Sequence, residues 1–253
     1  MPRTVGLFGR GRLGSLVASA VEASPDLECA WQLGHGEQAP SDVEVDVAID
    51  VSHRDAVADH VTWANETATD LVIGATGWPP ESLRNSGRFS GVLIAPNFSL
   101  SIALVRRFAV VLGGYADRYP GPVDLAVTET HHRAKVDSPS GTATLLAAAL
   151  ATSAGRPTAD IALSSLRLGA VVGTHDVRFE SASESITVRH EAHSREVFAE
   201  GALAAARWIH RRRGVFTVDD WAADQLDGLF TTQSTRLPVP DRSIPASPAQ
   251  EHS

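Results

Sequence analysis

A short apolar segment near the N-terminus runs directly into a glycine turn and then into a helical pattern. Residues 4–8 read TVGLF and predict a buried strand, and Gly9, Gly11 and Gly14 follow as G-x-G-x-x-G. The pattern of residues 13–23 then predicts a helix with its apolar residues on one side. A strand, a glycine turn and a helix start in this order are typical of the first unit of a parallel sheet that binds a dinucleotide.

The same alternation continues through the first hundred residues. Apolar runs predict further strands at 27–33, 43–50, 70–74 and 92–95, and the pattern of 53–67 predicts a helix. Strands separated by helices favour βαβ units, and hence a parallel sheet with helices on its faces.

The pattern changes after Asn97. Helices are predicted at 100–113, 141–154 and 197–213, and strands at 123–130, 161–168, 175–181 and 184–190. Several strands with few helices between them predict a second sheet with one face covered. From 231 to 253 the chain is rich in Ser, Pro and Gln, which is typical of a disordered tail.

Charge and cysteine content exclude several functions. With 22 Lys plus Arg against 30 Asp plus Glu the formal charge is −8, so we expect no nucleic-acid or membrane partner. Cys29 is the only cysteine, which excludes an internal disulfide and a thiolate metal cage. No apolar run has the length of a signal peptide or a membrane span, and we expect a cytoplasmic protein.

The end of the second predicted strand bears on the choice of cofactor. An acidic residue there usually holds the ribose diol of NAD, whereas this chain reads Gln32, Leu33, Gly34 and His35. Arg10, Arg12 or His35 could instead meet a 2′-phosphate. The sequence therefore favours NADPH and leaves NADH open.

The segment 129–142 carries the strongest chemical pattern. Two adjacent imidazoles, His131 and His132, precede Lys135, the only lysine of the chain. An ammonium can donate a proton, which arginine does poorly because its pKa exceeds about 12. Ser140 then predicts a helix N-cap, so that the backbone N–H groups of the residues from Gly141 to Ala143 form a site for a carboxylate.

Structural interpretations of the same residues remain open. A His-His pair can simply end a strand, and Pro-Ser-Gly-Thr can be an ordinary turn that caps a helix. A metal site would need a third ligand at a recognisable spacing, and none accompanies the pair, so we predict no metal.

The residues from Glu129 to Thr142 resemble the signature E-x-H-H-x-x-K-x-D-x-P-S-G-T of the 4-hydroxy-tetrahydrodipicolinate reductase (dihydrodipicolinate reductase) family. The likeness extends over roughly residues 4–220. Further matches are the turn Gly74-Ala75-Thr76-Gly77, the segment 95–99 (APNFS), and the positions Arg167, Gly169, Gly173, His175, Ser194, Arg195 and Phe198.

The resemblance implies an α/β fold with a Rossmann-type parallel-sheet dinucleotide-binding domain (1–98 and 197–230) and an α+β domain with an open mixed sheet for substrate and oligomerisation (99–196). It implies a homotetrameric oxidoreductase of lysine and diaminopimelate biosynthesis that acts on a small dicarboxylate. The implied catalytic residues are His131 and Lys135, and the implied substrate ligands are His132, Lys135, Ser140, Gly141, Thr142 and Thr76. The implied cofactor ligands are Gly9, Arg10, Gly11, Arg12, Leu13, Gly14, Gly34, His35, Gly74, Thr76, Gly77, Pro96, Asn97 and Phe98.

This chain departs from the family pattern in four places. Its glycine turn is one residue shorter, Ala75 stands where the family has threonine, Ser138 stands where it has alanine, and 155–166 lacks a longer glycine-bearing loop. Two other functions therefore stay open, namely a paralogue that reduces another cyclic imine or enamine carboxylate, and a non-catalytic dinucleotide sensor.

Overall fold

The computed structural model of the chain describes residues 1–83, 86 and 90–230, and the predicted tail 231–253 lies outside them. The described strands are β1 Arg3–Phe8, β2 Leu27–Leu33, β3 Val47–Asp50, β4 Asp70–Ile73, β5 Gly91–Ile94, β6 Asp124–His131, β7 Ala162–Arg167, β8 Gly173–Glu180, β9 Ser185–Ala192 and β10 Gly214–Thr217. The α-helices are α1 Arg12–Glu22, α2 Val57–Thr67, α3 Leu100–Arg118, α4 Gly141–Ser153, α5 Glu196–Ile209 and α6 Val218–Leu226. Within the described ranges, no helix is both long and apolar enough to cross a bilayer.

Six strands form a parallel sheet in the order β10-β5-β4-β3-β1-β2. Every residue of the central strands β3 and β4 is buried, because helices cover both faces. One face packs against α1, α5 and Trp221 of α6, and the other against α2 and a cluster of tryptophan side chains. The predicted Rossmann-type parallel sheet is thereby confirmed.

The second sheet has the order β7-β6-β8-β9. β6 runs parallel to β7 and antiparallel to β8, so the sheet is mixed, as predicted. Helices α3 and α4 bury one face around a cluster that includes Leu125, Leu150 and Phe179. The alternating exposure of β7 and β9 leaves the other face open.

The pairing register of the second sheet brings chemically active residues together. Glu129 of β6 lies opposite His175 of β8, and His175 lies opposite His190 of β9. His131 pairs with Arg167 on the parallel strand β7. The register therefore gathers residues that are up to 61 positions apart in the chain, from Glu129 to His190, on one end of the sheet.

Two elements near the C-terminal end were not predicted from the sequence. β10 adds a sixth strand to the first sheet beside β5, and α6 follows it directly. β10 has only four residues, too few for a clear periodic pattern. The start of α6 does carry a local signal, because Thr217 and Asp220 form a capping box. The division of the chain into a split dinucleotide-binding domain and a second domain stays a prediction.

Several predicted boundaries differ from the structure. The strand predicted at 43–50 begins only at Val47, because the Asp46 carboxylate turns back to accept hydrogen bonds from Thr4 N and Oγ1, at 2.9 and 3.0 Å. The helix predicted to reach residue 213 ends at Ile209, where the next turn places Arg211 at φ 62° with its N–H on Asp70 Oδ2, 2.8 Å away. The helix predicted at 53–67 starts with a short 3₁₀ turn, and α2 itself begins at Val57.

The helix predicted to end at Gly113 continues to Arg118, because Gly113 serves helix packing rather than termination. A side chain at Gly113 would overlap the carbonyl oxygen of Leu150 on α4. The missing Cβ therefore lets α3 and α4 approach closely over the second sheet. At the neighbouring Gly114 an added Cβ would find nothing nearer than the Arg118 side chain, at 3.9 Å.

These two glycines give a matched test of the helix contact. We expect Gly113→Ala to lower the free energy of unfolding by about 1–3 kcal/mol, because the added methyl group forces the helices apart. Gly114→Ala should raise it by about 0.5–1 kcal/mol, because alanine is the better helix former. Urea denaturation measures both, and equal effects of the two substitutions would contradict this account of the contact.

Candidate active site

A cleft of about 470 Å³ lies between the carboxyl edge of the first sheet and the end of β6 with the start of α4. Crevices at this edge of a parallel sheet are the usual ligand sites of such folds. The lining residues that the sequence analysis proposed are Leu13, Gly74, Thr76, Pro96, Asn97, Phe98, His131, His132, Lys135, Ser140, Gly141 and Thr142. The structure therefore brings together proposed cofactor and substrate residues that are up to 129 positions apart, from Leu13 to Thr142.

The glycine turn leaves the start of α1 open to an anion. Gly9 has φ 122°, and a Cβ there would lie 2.8 Å from Val51 O, while a Cβ at Gly14 would overlap Gly9 O. Gly11 is the N-cap of α1 and has no side chain to cap the first N–H groups of the helix. An added Cβ at Gly11 would have nothing within 4 Å. Uncapped N–H groups beside open space at a helix N-terminus fit a dinucleotide pyrophosphate.

A carboxylate lies at the end of β2, where the sequence analysis found none. Glu37 folds back so that its Oε2 accepts from Gly34 N at 2.9 Å and its Oε1 from Arg10 Nη1 at 2.7 Å. The backbone of Gly34 lowers the pKa of Glu37, and Arg10 adds to this. The prediction that this edge lacks an acidic residue is wrong. The chain turns back after Gly34 and brings the carboxylate of Glu37, three positions further on, to the end of β2. Together with Arg10 and Gly34, His35 lines a separate cavity beside the glycine turn.

Asn97 connects the two sides of the cleft. Its Nδ2 donates to Thr142 Oγ1 of α4 at 3.2 Å, and its Oδ1 accepts from Ser99 N at 2.9 Å. Phe98 packs over Gly74, where a Cβ would collide with its ring. Gly77 follows in the turn after β4 with φ 81°. These contacts hold the turns after β4 and β5 together and connect them to the start of α4.

Glu129 is a buried carboxylate that holds several parts of the cleft wall. It accepts hydrogen bonds from His131 Nδ1, from Arg167 Nη2 at 2.9 Å and from Ser140 N at 3.2 Å. Burial opposes ionisation, but the hydrogen bonds from Arg167, Ser165 and His131 outweigh it and lower the pKa of Glu129 to about 2. Glu129 is therefore ionised at neutral pH.

The Glu129 contact determines how His131 faces the cleft. An ionised carboxylate only accepts hydrogen bonds, so His131 carries its proton on Nδ1 and presents Nε2 on its other side. Gly173 lies against that nitrogen, because a Cβ there would be 3.0 Å from Nε2. Burial lowers the pKa of His131 and Glu129 acts in the opposite direction, so the net shift is downward and favours the neutral imidazole.

Lys135 gives the cleft a cationic side, which His132 also lines. Lys135 Nζ pairs with Asp137 Oδ1 at 2.8 Å, and three quarters of its side chain is buried. Burial first, and then the nearby Arg195, Arg12 and Lys135, lower the pKa of His132. Positive charges from the starts of α1 and α5 and from the loop after β6 therefore converge on this imidazole, which is an arrangement that suits a dianion.

The start of α4 has the N-cap that the sequence predicts. Ser140 is the N-cap, and its Oγ accepts from Ala143 N at 3.2 Å. An added Cβ at Gly141 would meet nothing within 4 Å, so the backbone there is open to the cleft. The Ser140 hydroxyl also lies 3.4 Å from Nε2 of His175, a buried residue that lines the same cleft.

The sequence analysis missed several residues of this site. Glu129, Arg167, His175 and Arg195 lay within the matched motifs but received no role, while His190 lay outside them. The alternation of β6 was the available signal, because Glu129 and His131 are two apart and must share a face. Among the described residues, no group of three His, Cys, Asp or Glu side chains could hold a metal ion.

Comparison with known proteins identifies the family. The profile described as "Dihydrodipicolinate reductase, N-terminus" matches residues 3–98, and "Dihydrodipicolinate reductase, C-terminus" matches residues 99–221. The chain belongs to the dihydrodipicolinate reductase family. The resemblance drawn from the segment 129–142 is thereby confirmed.

Relatives within the family cover most of the chain. A 4-hydroxy-tetrahydrodipicolinate reductase of Akkermansia muciniphila is 33% identical over 83% of this chain and 93% of that protein. The enzyme of the same name from Myxococcus xanthus is 37% identical over 70% of this chain and 71% of its own. The dipicolinate-bound dihydrodipicolinate reductase from Paenisporosarcina sp. TG-14 shares the fold, with a TM-score of 0.70 at 22% identity over 86% of this chain and 98% of that one.

The Glu129 network predicts a stability that depends on pH. Because folding lowers the pKa of Glu129 from 4.5 to about 2, its contribution is complete above pH 4.5 and is lost as the pH falls toward 2. Glu129→Gln removes this contribution of about 3 kcal/mol. The difference in unfolding free energy between wild type and variant should therefore shrink from pH 6 to pH 3, as urea denaturation would measure.

Glu66→Gln provides the control, because Glu66 is exposed on α2. It should change the unfolding free energy little at any pH. A Glu129→Gln difference that stays constant between pH 6 and pH 3 would argue against the ionised, hydrogen-bonded carboxylate.

Proposed function

We propose that this chain is a nicotinamide-dependent reductase that converts 4-hydroxy-tetrahydrodipicolinate to tetrahydrodipicolinate in lysine and diaminopimelate biosynthesis. One observation carries the proposal, namely the single cleft that joins the turns of a dinucleotide-type sheet to a lysine, two histidines and an open helix start. The names of the relatives in the family support this substrate. The direct test is oxidation of NADPH and NADH with enzymatically generated 4-hydroxy-tetrahydrodipicolinate.

The cofactor would lie along the carboxyl edge of the first sheet. The N–H groups at the start of α1 would hold the pyrophosphate, with Gly9, Gly11 and Gly14 allowing its approach. Leu13, Gly74, Thr76, Pro96, Asn97 and Phe98 would border the nicotinamide end of the site, where the cleft begins. When bound, the reduced nicotinamide supplies a hydride.

The substrate's carboxylates would bind on the opposite side. One would accept hydrogen bonds from the backbone N–H groups of Gly141 and Thr142 and from the Ser140 hydroxyl, at the positive end of the α4 dipole. The other would be held by Lys135 and His132. This arrangement turns the substrate's ring toward Thr76 and the nicotinamide side.

Reduction of the C=C–C=N system, which water loss creates in the substrate, needs one hydride and one proton. Lys135 would donate that proton and stabilise the negative charge that develops, and its ion pair with Asp137 supports this role. Glu129 holds His131 so that Nε2 points away from the carboxylate. His131 would then orient and polarise the reacting end of the substrate.

Cofactor preference would be set at the end of β2. The Glu37 carboxylate suits the ribose diol of NADH, whereas the Arg10 guanidinium suits the 2′-phosphate of NADPH. Because the two groups pair with each other, neither is fully available, and we propose that both cofactors are used, with NADPH at least as good as NADH.

The open face of the second sheet would form the centre of a homotetramer in the cytoplasm. Leu166 of β7 and Leu168, which follows β7 directly, are 63% and 62% exposed. Two large apolar side chains exposed close together in this way favour a protein interface at the end of β7. Light scattering should give a mass four times that of the 26.8 kDa chain, and a monomeric mass would refute the assembly.

The role of Lys135 is tested by exchange of its ammonium for a guanidinium. Lys135→Arg keeps the charge but gives a poor proton donor, so kcat should fall about 10²–10⁴-fold while cofactor affinity is kept. The exposed neighbour Arg133 serves as the control, since Arg133→Lys should leave kcat within about twofold. Near-normal kcat in Lys135→Arg would reduce Lys135 to a substrate ligand.

Glu37 is tested by neutralisation. Glu37→Gln should lower kcat/KM for NADH and raise it for NADPH, because it removes a diol acceptor and frees Arg10 from its ion pair. We expect the NADPH-to-NADH ratio to rise about tenfold, which corresponds to one charged hydrogen bond. Steady-state kinetics with each cofactor give the ratio, and an unchanged ratio would place the ribose elsewhere.

A further inference from the structure

His175 is a buried histidine of the cleft wall to which the proposed reaction gives no task. It is 4% exposed, lines the cleft from β8, and has an Nδ1 atom without a hydrogen-bond partner. Its ring packs edge-on against His131 with centroids 5.1 Å apart, and its Nε2 lies 3.4 Å from Ser140 Oγ. It therefore touches the residue that would bind a substrate carboxylate.

The hydrogen bonds of Ser140 assign the tautomer of His175. Ser140 Oγ already accepts from Ala143 N, so its own proton needs an acceptor, and Nε2 of His175 is the neighbouring nitrogen that can accept it. The neutral imidazole then carries its proton on the unpartnered Nδ1. Burial, followed by the proximity of His131 and His190, lowers the pKa of His175 to about 4, consistent with a neutral ring.

A carboxylate at the start of α4 changes this arrangement. The Ser140 hydroxyl would turn its proton toward the carboxylate and leave Nε2 of His175 without a donor. If His175 gains a proton at Nε2, it donates to Ser140 Oγ, and the chain from His175 through Ser140 to the carboxylate is restored. The buried cation is then stabilised by the anion that it helps to bind.

Once a dianion is bound, the charges around His175 favour this proton. The facing groups are His131 and Glu129 of β6, His190 of β9, Ser140 at the start of α4, Lys135 with its partner Asp137, Arg167 of β7 behind Glu129, and Arg195 at the start of α5. These hold three permanent cations and two carboxylates, so a dianion leaves the substrate side with one excess negative charge. One protonated imidazole balances it.

We propose that His175 takes up a proton when a dicarboxylate binds, and so couples the Ser140 hydrogen bond to the charge of the ligand. The inference rests on the proposed function, since it deepens the chemistry of the same site. It predicts that affinity for a dicarboxylate falls as the pH rises, although the ligand itself stays a dianion.

Isothermal titration measures this proton directly. Pyridine-2,6-dicarboxylate is titrated into the protein saturated with reduced cofactor at pH 7, in Pipes, Hepes and Tris, whose ionisation enthalpies differ. The slope of observed enthalpy against buffer ionisation enthalpy gives the protons taken up. We expect about 0.5–1 proton for wild type, with affinity falling up to tenfold per pH unit between pH 7 and pH 8.

Two variants separate His175 from its neighbours. In His175→Gln the amide N–H can donate to Ser140 without a proton from the solvent, so the slope should be near zero and the affinity flat from pH 6 to pH 8. His190→Gln should keep the wild-type slope, because the imidazole that hydrogen-bonds Ser140 is that of His175. If His132→Gln rather than His175→Gln removes the uptake, the assignment to His175 is overturned.

Wild-type measurements alone also decide the question if His175→Gln fails to fold. Long-range proton–nitrogen spectra should show His175 protonated on Nδ1 only without the dicarboxylate, and on both nitrogens with it. Binding with zero proton uptake would overturn this inference and leave the proposed function intact. Absence of binding to the cofactor-loaded protein in every buffer would overturn both.

Discussion

The buried carboxylate of Glu129 is the contact on which the active-site wall depends. An ionised carboxylate with no exposed surface is costly unless its oxygens are hydrogen-bonded. Here the donors come from three segments, namely His131 on the same strand, Arg167 on β7 and the backbone of Ser140 before α4. Because one side chain satisfies all three, the orientation of the imidazole, the register of two strands and the start of α4 are determined together.

The cleft depends in turn on how two sheets of different construction meet. The parallel sheet is buried on both faces, so only its carboxyl edge can meet a ligand. The mixed sheet is covered on one face, and its contribution comes from the end of β6 and the start of α4. The Asn97 amide on Thr142 connects these two edges across the cleft. Cofactor and substrate would thus approach from opposite walls.

Much of this arrangement follows from local sequence patterns, and the rest depends on contacts between distant residues. The glycine turn and the strand alternation predict the parallel sheet, and the segment 129–142 predicts the helix start and the cationic side chains. Gly113 looks like a helix end in the sequence, but its contact with Leu150 keeps α3 continuous. Glu37 reaches its place through a folded-back turn, and His175 reaches the cleft through a strand register; the strand and helix patterns of the sequence predict neither contact.

The distribution of arginine and lysine separates the residues that support the fold from the one proposed to take part in the chemistry. Of the 22 basic side chains, all but Lys135 are arginine. The arginines with described partners form fixed pairs, as when Arg207 places Nε and Nη2 on the two oxygens of Asp26, both at 2.8 Å. A planar guanidinium suits such forked contacts but holds its protons too tightly to donate them. The one ammonium lies in the cleft beside Asp137, where reduction of the proposed substrate needs a proton. Arginine can replace lysine wherever positive charge and geometry suffice. At position 135 they would not suffice, because the proposed reaction also needs a proton donor.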